Sequence, residues 1–198
     1  MMDEIQEVEL GSIGKVQTGP FGSQLLNEQY VTGGTPIITV EHIKDFRISY
    51  QPFPSVTDAD KKRLSRYVMK AGDIVFSRVG SVDLSALVTA DEDGWLFSSR
   101  MLCFRPDTSK VDATYLAYYL RLPGVRKYIN RIAVGSTMPS INTEILKGIP
   151  VMLPSLERQK AIGLTLAMLD RRMHILRGEH NLLEQLADIV FKQSLTTE

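Results

Sequence analysis

The sequence has few of the residues on which metal binding and redox chemistry depend. Its 198 residues include one cysteine, Cys103, and three dispersed histidines, His42, His174 and His180. A single cysteine cannot form an intramolecular disulfide, and these four residues lack the spacing of a zinc site. Every apolar run is shorter than the ~18 residues of a transmembrane helix, and the first residues are acidic where a signal peptide would be basic. We therefore expect a cytoplasmic protein without structural metal or membrane contact.

Net charge is also lacking, because 23 Lys and Arg balance 23 Asp and Glu. The charges are nevertheless unevenly distributed along the chain. Residues 61–82 carry six bases and one acid, residues 121–150 carry five bases and one acid, and residues 1–60 carry nine acids and three bases. Local basic zones can contact phosphates even on a neutral protein, so nucleic acid stays a candidate partner.

Catalytic motifs are missing from the sequence. The glycines of residues 10–15 are too closely spaced for a phosphate loop, and no Ser or Thr follows Lys15. Asp60-Lys61-Lys62 resembles half of a nuclease metal site but lacks the paired upstream acid. The chain also lacks the Asn/Asp-Pro-Pro-aromatic tetrapeptide of an amino-methyltransferase and a Gly-rich turn for S-adenosylmethionine. We expect no catalytic residues and no cofactor bound by this chain.

Short elements with frequent breaks are predicted for the first 150 residues, which indicates an α+β fold with mixed or antiparallel strands and short helices. The glycines between Gly11 and Gly22 predict irregular structure. Hydrophobic patterns predict strands at 35–43, 46–50, 74–78, 85–90 and 95–105, and helices at 21–30, 57–66, 112–120 and 123–131.

A long helix is predicted after Pro154, because no proline occurs between Leu156 and about Leu195. Forty residues span about 60 Å, whereas a 155-residue domain is roughly 40 Å across. Leaving the apolar side chains of the overhang in water would forfeit on the order of 10 kcal/mol of burial, so a partner helix must cover them. The predicted seam comprises Ile162, Leu166, Leu169, Met173, Leu176, Leu183, Ala187 and Val190, beside a stripe of Leu182, Leu186 and Ile189.

Clustered cations are the candidate contacts to DNA phosphates. They are Lys61, Lys62, Arg63, Arg66, Arg78, Arg126 and Lys127. A solvated helix face is the alternative interpretation of either cluster.

An ordered set of motifs extends over essentially the whole chain and resembles the specificity subunits of bacterial type I restriction-modification systems. It consists of residues 10–14, residues 18–25 with Tyr30, residues 34–38, 70–81, 115–120, 135–142 and 149–154, and then Glu157, Gln159, Ile162, Leu169 and Asp170. Arg158 and Ser155 depart from the family, which tends to have Glu and a second Pro there.

The resemblance implies a non-catalytic subunit that reads DNA. Such subunits carry two target-recognition domains, each reading half of a bipartite site, joined by two long antiparallel helices. They recruit modification subunits, which bind S-adenosylmethionine and methylate adenine, and restriction subunits for cleavage. This chain resembles a half-length form, with a recognition domain at 1–154 and a coiled-coil helix at 155–198, and we expect a homodimer through that helix.

Base-reading residues are expected in three loops of the recognition domain. They are Gly19, Phe21, Gly22 and Ser23, then Gly80 and Ser81, and then Ser136, Thr137 and Asn142. Two alternatives remain at this point: a coiled-coil adaptor that does not bind DNA, and a stand-alone nuclease or methyltransferase.

We predict that the purified chain neither methylates nor cuts DNA and does not bind S-adenosylmethionine, because the sequence lacks the required motifs. Calorimetric titration with the cofactor tests this prediction. Saturable binding at one site per chain would contradict it and would favour the methyltransferase alternative.

Overall fold

A four-stranded antiparallel sheet divides the hydrophobic core in two. The computed structural model describes residues 5–20, 24–25, 27–49, 52–135 and 137–196. In the strand of residues 74–77, Ile74 and Phe76 face one core and Val75 faces the other. In the strand of residues 101–106, Leu102 and Phe104 alternate in the same way with Met101 and Cys103. Because successive side chains of a strand point to opposite faces, both faces of this sheet are buried.

The strands and helices confirm an α+β fold with mixed and antiparallel sheets and a long C-terminal helix. The strands are β1 (Gln6–Glu9), β2 (Gly14–Thr18), β3 (Thr35–Ile38), β4 (Ile43–Lys44), β5 (Arg47–Ile48), β6 (Ser55–Val56), β7 (Ile74–Ser77), β8 (Ser85–Leu87), β9 (Leu96–Phe97), β10 (Met101–Pro106) and β11 (Pro150–Leu153). The helices are α1 (Asp58–Arg63), α2 (Ala113–Arg121), α3 (Pro123–Ile132), α4 (Thr143–Lys147) and α5 (Leu156–Thr196).

The sheets differ in their order and direction. The main sheet has the order β2-β10-β7-β8, and all its pairs are antiparallel. A smaller sheet, β6-β3-β9, pairs β3 with β9 in parallel. Helices α2, α3 and α4 contribute to the core on one face of the main sheet, and the smaller sheet covers the other face.

The prediction of irregular structure around the N-terminal glycines is wrong, because Gly14–Thr18 form β2 and pair with β10. A Cβ on Gly14 would lie 2.3 Å from the Phe104 ring, so this glycine is required for close packing rather than for a turn. The helix predicted at 21–30 is also corrected. Its described part contains no α-helix and includes a 3-10 turn at Asn27–Gln29, and residues 21–23 and 26 lie outside the described residues.

Four predicted strands are shorter than expected, because turns interrupt them, and two of these turns are capped. The run at 35–43 stops where Thr39 begins a 3-10 turn that His42 caps, and the run at 85–90 stops before a capping box of Thr89 and Glu92. Two other runs are broken by turns, at residues 98–100 and at residues 45–46, and residue 50 lies outside the described residues. The sequence analysis missed β1, β6, β11 and α4, which are all six residues or shorter.

Helix α5 begins against the domain that the preceding strands and helices form, and it runs beside α2. The Gln159 side chain is buried, accepts a hydrogen bond from the Asp112 N–H and donates to the Pro154 carbonyl. One turn later, a Cβ on Gly163 would lie 2.9 Å from the Tyr115 nitrogen, so only a glycine allows this close approach. The 41-residue helix is about 62 Å long.

The rest of α5 extends beyond the domain, as the sequence predicted. Every residue from 171 to 194 is exposed. Ile162 and Leu166 are half-buried in the part of the helix that packs on the domain, so the seam that is open to a partner begins at Leu169. The second stripe is longer than predicted, because Leu164, Met168 and Ile175 extend it towards the domain, and the described helix therefore presents two exposed apolar stripes.

We predict that Gln159→Ala destabilises the protein by about 1–3 kcal/mol, because it leaves the Asp112 N–H and the Pro154 carbonyl without their buried partner. Urea unfolding measures the loss, with Lys160→Ala as the exposed control on the same helix. Equal stability of the two variants would contradict the anchoring role of Gln159.

Candidate nucleic-acid interface

Loops that are distant in sequence converge at one end of the main sheet. Strand β2 ends at Thr18 and β7 ends at Ser77, while β10 begins at Met101 and β8 begins at Ser85. Because neighbouring strands in this sheet are antiparallel, these four positions lie at the same end, which we call the loop end. The segments that follow Thr18 and Ser77 are two of the three loops expected to read bases.

The third loop is held against the second by backbone hydrogen bonds. Val134 and Ser140 exchange two of them. The Gly80 N–H donates to the Pro139 carbonyl at 2.8 Å, and the Ile141 N–H donates to the Arg78 carbonyl at 3.0 Å. The structure therefore brings Gly80 and Ser81 together with Thr137, and all three are exposed.

A fourth segment at the loop end was missed by the sequence analysis. The predicted strand at 95–105 is two strands, β9 and β10, separated by a turn at Ser98, Ser99 and Arg100. The Arg78 N–H donates to the Arg100 carbonyl at 2.9 Å, which places Arg100 beside the second loop. The Ser98-Ser99 pair was the available signal, because serines favour turns within an otherwise apolar run.

Gly19 has a packing role at the start of the first loop. Its N–H donates to the Met101 carbonyl, and a Cβ there would lie 1.9 Å from the Ser98 carbonyl oxygen. Because Gly19 is buried, we expect base contacts from the residues that follow it rather than from Gly19 itself. Phe21, Gly22 and Ser23, like Ser136 in the third loop, lie outside the described residues.

The cations of residues 61–66 lie beside the end of β2. The Gln17 side chain donates to the Arg66 carbonyl at 2.7 Å, and Arg63 donates to the Gln24 carbonyl at 2.8 Å. Arg63 also forms an ion pair with Asp60 at 2.8 Å, so part of its charge is already neutralised. Hydrogen bonds from Arg63 and then Thr57 lower the pKa of the Asp60 carboxyl, which keeps that pair ionised.

Arg126 and Asn142 are engaged within the protein. Arg126 donates two hydrogen bonds to Asp83, at 2.9 and 2.6 Å, and thereby ties α3 to the second loop. The Asn142 side chain caps α4 by accepting from the Ile145 N–H at 2.8 Å. Within the described ranges, Lys62, Arg66, Arg78, Arg100 and Lys127 form no ion pair, and all but the half-buried Arg78 are exposed.

Cys103 does not provide an activated nucleophile. Burial, followed by the charge of nearby Asp73, raises the pKa of its thiol well above the ordinary value. Asp73 is itself buried and accepts two hydrogen bonds from Arg105, at 2.8 and 2.6 Å. This carboxylate ties β10 to the turn before β7 and has a structural role.

The described part of the chain has neither a cluster of metal-binding side chains nor a helix that could span a membrane. None of its His, Cys, Asp and Glu side chains gather in groups of three or more that could hold a metal ion. None of its helices is both long and apolar enough to cross a membrane.

A family model described as the type I restriction modification DNA specificity domain matches residues 2–185. Two curated relatives come from Methanocaldococcus jannaschii. The putative type I restriction enzyme MjaX specificity subunit is 29% identical over 169 residues, and the match covers 82% of this chain and 39% of the relative. The type I restriction enzyme MjaVIII specificity subunit is 23% identical over 199 residues, covering 98% of this chain and 46% of the relative. The chain thus spans less than half the length of both relatives.

Solved structures share the fold. The type I restriction-modification system S subunit from M. genitalium superposes with a TM-score of 0.64 at 16% identity, over 89% of this chain and 42% of that one. The HsdS subunit from Thermoanaerobacter tengcongensis gives 0.65 at 18% identity, over 96% of this chain and 48% of that one.

Proposed function

Since the chain belongs to the type I restriction-modification DNA specificity domain family, we propose that it is a non-catalytic subunit that recognises a specific DNA sequence in the cytoplasm. Residues 1–154 are the recognition domain and residues 155–198 the assembly helix. The observation that carries the proposal is the convergence of four separate segments, rich in Gly, Ser and Thr, at the loop end, with cations around them.

The loop end suits the chemistry of reading DNA. Exposed hydroxyl groups of Ser81 and Thr137 can reach base edges in a groove, and the exposed Met138 offers an apolar contact to a thymine methyl group. Lys62, Arg66, Arg100 and Lys127 are available to neutralise phosphates, because no ion pair within the described residues occupies them. Arg63 and Arg126 instead hold the cation cluster and the second loop in position.

We predict that Lys62→Ala combined with Arg66→Ala weakens binding to all duplexes alike and reduces the slope of log K against log salt by about 1.8, the value for two phosphate contacts. Arg63→Ala should change the slope less, because Asp60 and the Gln24 carbonyl already engage this side chain. Fluorescence anisotropy over a salt series provides the measurement, with Lys160→Ala as the control.

Substitutions of Ser81, Ser136 or Thr137 should instead change which sequence is preferred. A protein without salt-dependent affinity for any duplex would contradict DNA recognition and support the adaptor alternative.

The exposed seam on α5 supports pairing with a second helix of similar length. A second copy of this chain supplies such a helix, and in an antiparallel pair it places a recognition domain at each end, related by a two-fold axis. Two domains related in this way read identical half-sites in inverted orientation, separated by a spacer that the helices determine.

The second apolar stripe supports a further partner. Leu164, Met168, Ile175, Leu182, Leu186 and Ile189 form this stripe, and all are exposed. A helix that has apolar stripes on two sides can contact two neighbours at once. We assign this stripe to a modification subunit, which would bind S-adenosylmethionine and methylate adenine; a restriction subunit would join the same complex.

We predict a two-fold symmetric recognition sequence. Mapping methylated adenines in cells that express only this chain and its modification subunit should yield inverted, identical half-sites. Replacing Leu169, Met173 and Leu183 with polar residues should abolish both the dimer and the methylation while leaving the domain folded, as judged by sedimentation and circular dichroism. An asymmetric bipartite motif would instead show that a different specificity subunit covers the seam.

A further inference from the structure

A cluster of charged and aromatic groups joins the fourth turn of α5 to the recognition domain. The Asp170 carboxylate accepts hydrogen bonds from Arg47 at 2.6 Å, from the Tyr118 hydroxyl at 3.1 Å and from Arg121 at 3.4 Å. Burial alone raises the pKa of Asp170, but the charge of Arg47 and the contacts from Tyr118 and Arg121 together place it below its ordinary value. The carboxylate is therefore ionised at neutral pH. We call these four residues the Asp170 clamp.

The clamp joins parts of the fold that belong to different cores. Arg47 lies on β5, and the next residue of that strand, Ile48, packs in the core beneath the smaller sheet. Tyr118 and Arg121 lie on α2, which packs in the other core through Leu116 and Leu120. Asp170 thus accepts hydrogen bonds from an arginine on each side of the domain, so its position depends on both cores.

The turn that precedes Arg47 is held in an uncommon backbone conformation. Asp45 and Phe46 both have positive φ, at 48° and 61°, as a two-residue hairpin turn of this type requires, although neither is glycine. Arg121 donates to the Phe46 carbonyl at 3.0 Å and lies over its ring, and Arg126 lies over the same ring at 5.1 Å. A strained turn persists only where its surroundings hold it, so these arginines fix the position from which Arg47 reaches the helix.

Within the described residues, the clamp is the last point of α5 that is tied to the domain by hydrogen bonds. Gln159 and Gly163 hold the first turns, and the helix is exposed from residue 171 to residue 194. The 26 residues beyond Asp170 extend about 39 Å. A tilt of about 5° at the clamp therefore moves the far end by roughly 3.4 Å, which equals the rise of about one base pair in DNA.

We propose that Asp170 is a positioning residue that fixes the direction of α5 relative to the recognition domain and thereby sets the distance between two DNA half-sites. This inference rests on the proposed function, because the half-sites exist only if two recognition domains are joined through their helices. Asp170 itself contacts neither DNA nor the partner helix; it acts through the angle between helix and domain.

The first test compares Asp170→Asn with Asp188→Asn. Both variants remove one negative charge from α5, but Asp188 lies on the exposed part of the helix, far from the domain. Binding is measured on duplexes that carry the two half-sites with the natural spacer, or with a spacer one base pair shorter or longer. Asp170→Asn should reduce the preference for the natural spacer by about tenfold, which is 1.4 kcal/mol. The penalty for a base change within a half-site should stay the same.

Arg47→Gln should reproduce the effect of Asp170→Asn without altering the helix, and Asp188→Asn should behave as the wild type. Spacer preference that is unchanged in both Asp170→Asn and Arg47→Gln would overturn the proposal. A loss of half-site discrimination with a retained spacer preference would overturn it too, because Asp170 would then influence base reading.

A second test measures the angle without DNA. Spin labels at Thr108→Cys and Gln185→Cys, in protein diluted with unlabelled chain, report the distance between domain and helix by pulsed electron paramagnetic resonance. The buried Cys103 thiol has a raised pKa and should react slowly with the label. Asp170→Asn should broaden the distance distribution, and Asp188→Asn should not. If no variant binds DNA but Asp170→Asn still broadens the distance distribution, the proposed function is wrong and the role of the clamp in fixing the helix direction is retained. If Asp170→Asn does not broaden the distribution, the role of the clamp is overturned.

Discussion

Burial of the main sheet on both faces is the constraint on which the rest of the molecule depends. Helices α2, α3 and α4 cover one face and the smaller sheet covers the other, so neither face is open to a ligand. The ends of the strands remain accessible. Segments that leave one end of an antiparallel sheet are necessarily neighbours, and these are the segments that carry exposed Gly, Ser, Thr and Arg. A buried sheet therefore explains why residues 63 positions apart in sequence, such as Arg78 and Ile141, meet at one site.

Helices α2, α3 and α5 could be predicted because local signals mark where they begin, whereas strand β2 could not because its glycines serve a distant contact. Helix α2 was predicted within one residue because Asp112 caps it, and α3 because Pro123 begins it. The start of α5 follows from Pro154, the last proline of the chain. Strand β2 was missed because its flanking glycines are typical of turns. Only the packing of Gly14 against Phe104, 90 residues away in sequence, shows that the glycine serves a strand.

The candidate site was predictable to the level of segments but not of individual side chains. Gly80 and Ser81 lie at the loop end because a turn must connect two strands of one sheet, which the sequence indicates. The hydrogen-bond partner of each side chain could not be predicted. Asp83 binds Arg126 across 43 positions, and no local pattern marks either residue as paired. The same limitation concealed Arg100, because the sequence analysis joined β9 and β10 across residues 98–100, and only their pairing with distant strands shows that they belong to different sheets.

If two copies of the chain pair through α5 as proposed, a rigid connection between domain and helix also affects how strongly DNA is bound. Two recognition domains joined through their helices bind the second half-site at an effective concentration that depends on geometry. If α5 pivoted freely on its domain, the second domain would sample many positions, and its effective concentration at the correct one would fall. Anchors at Gln159, Gly163 and Asp170, spread over three turns on one face of the helix, restrict that sampling. In the proposed dimer, contacts far from the DNA would therefore contribute to affinity, because they limit where the second recognition domain can be.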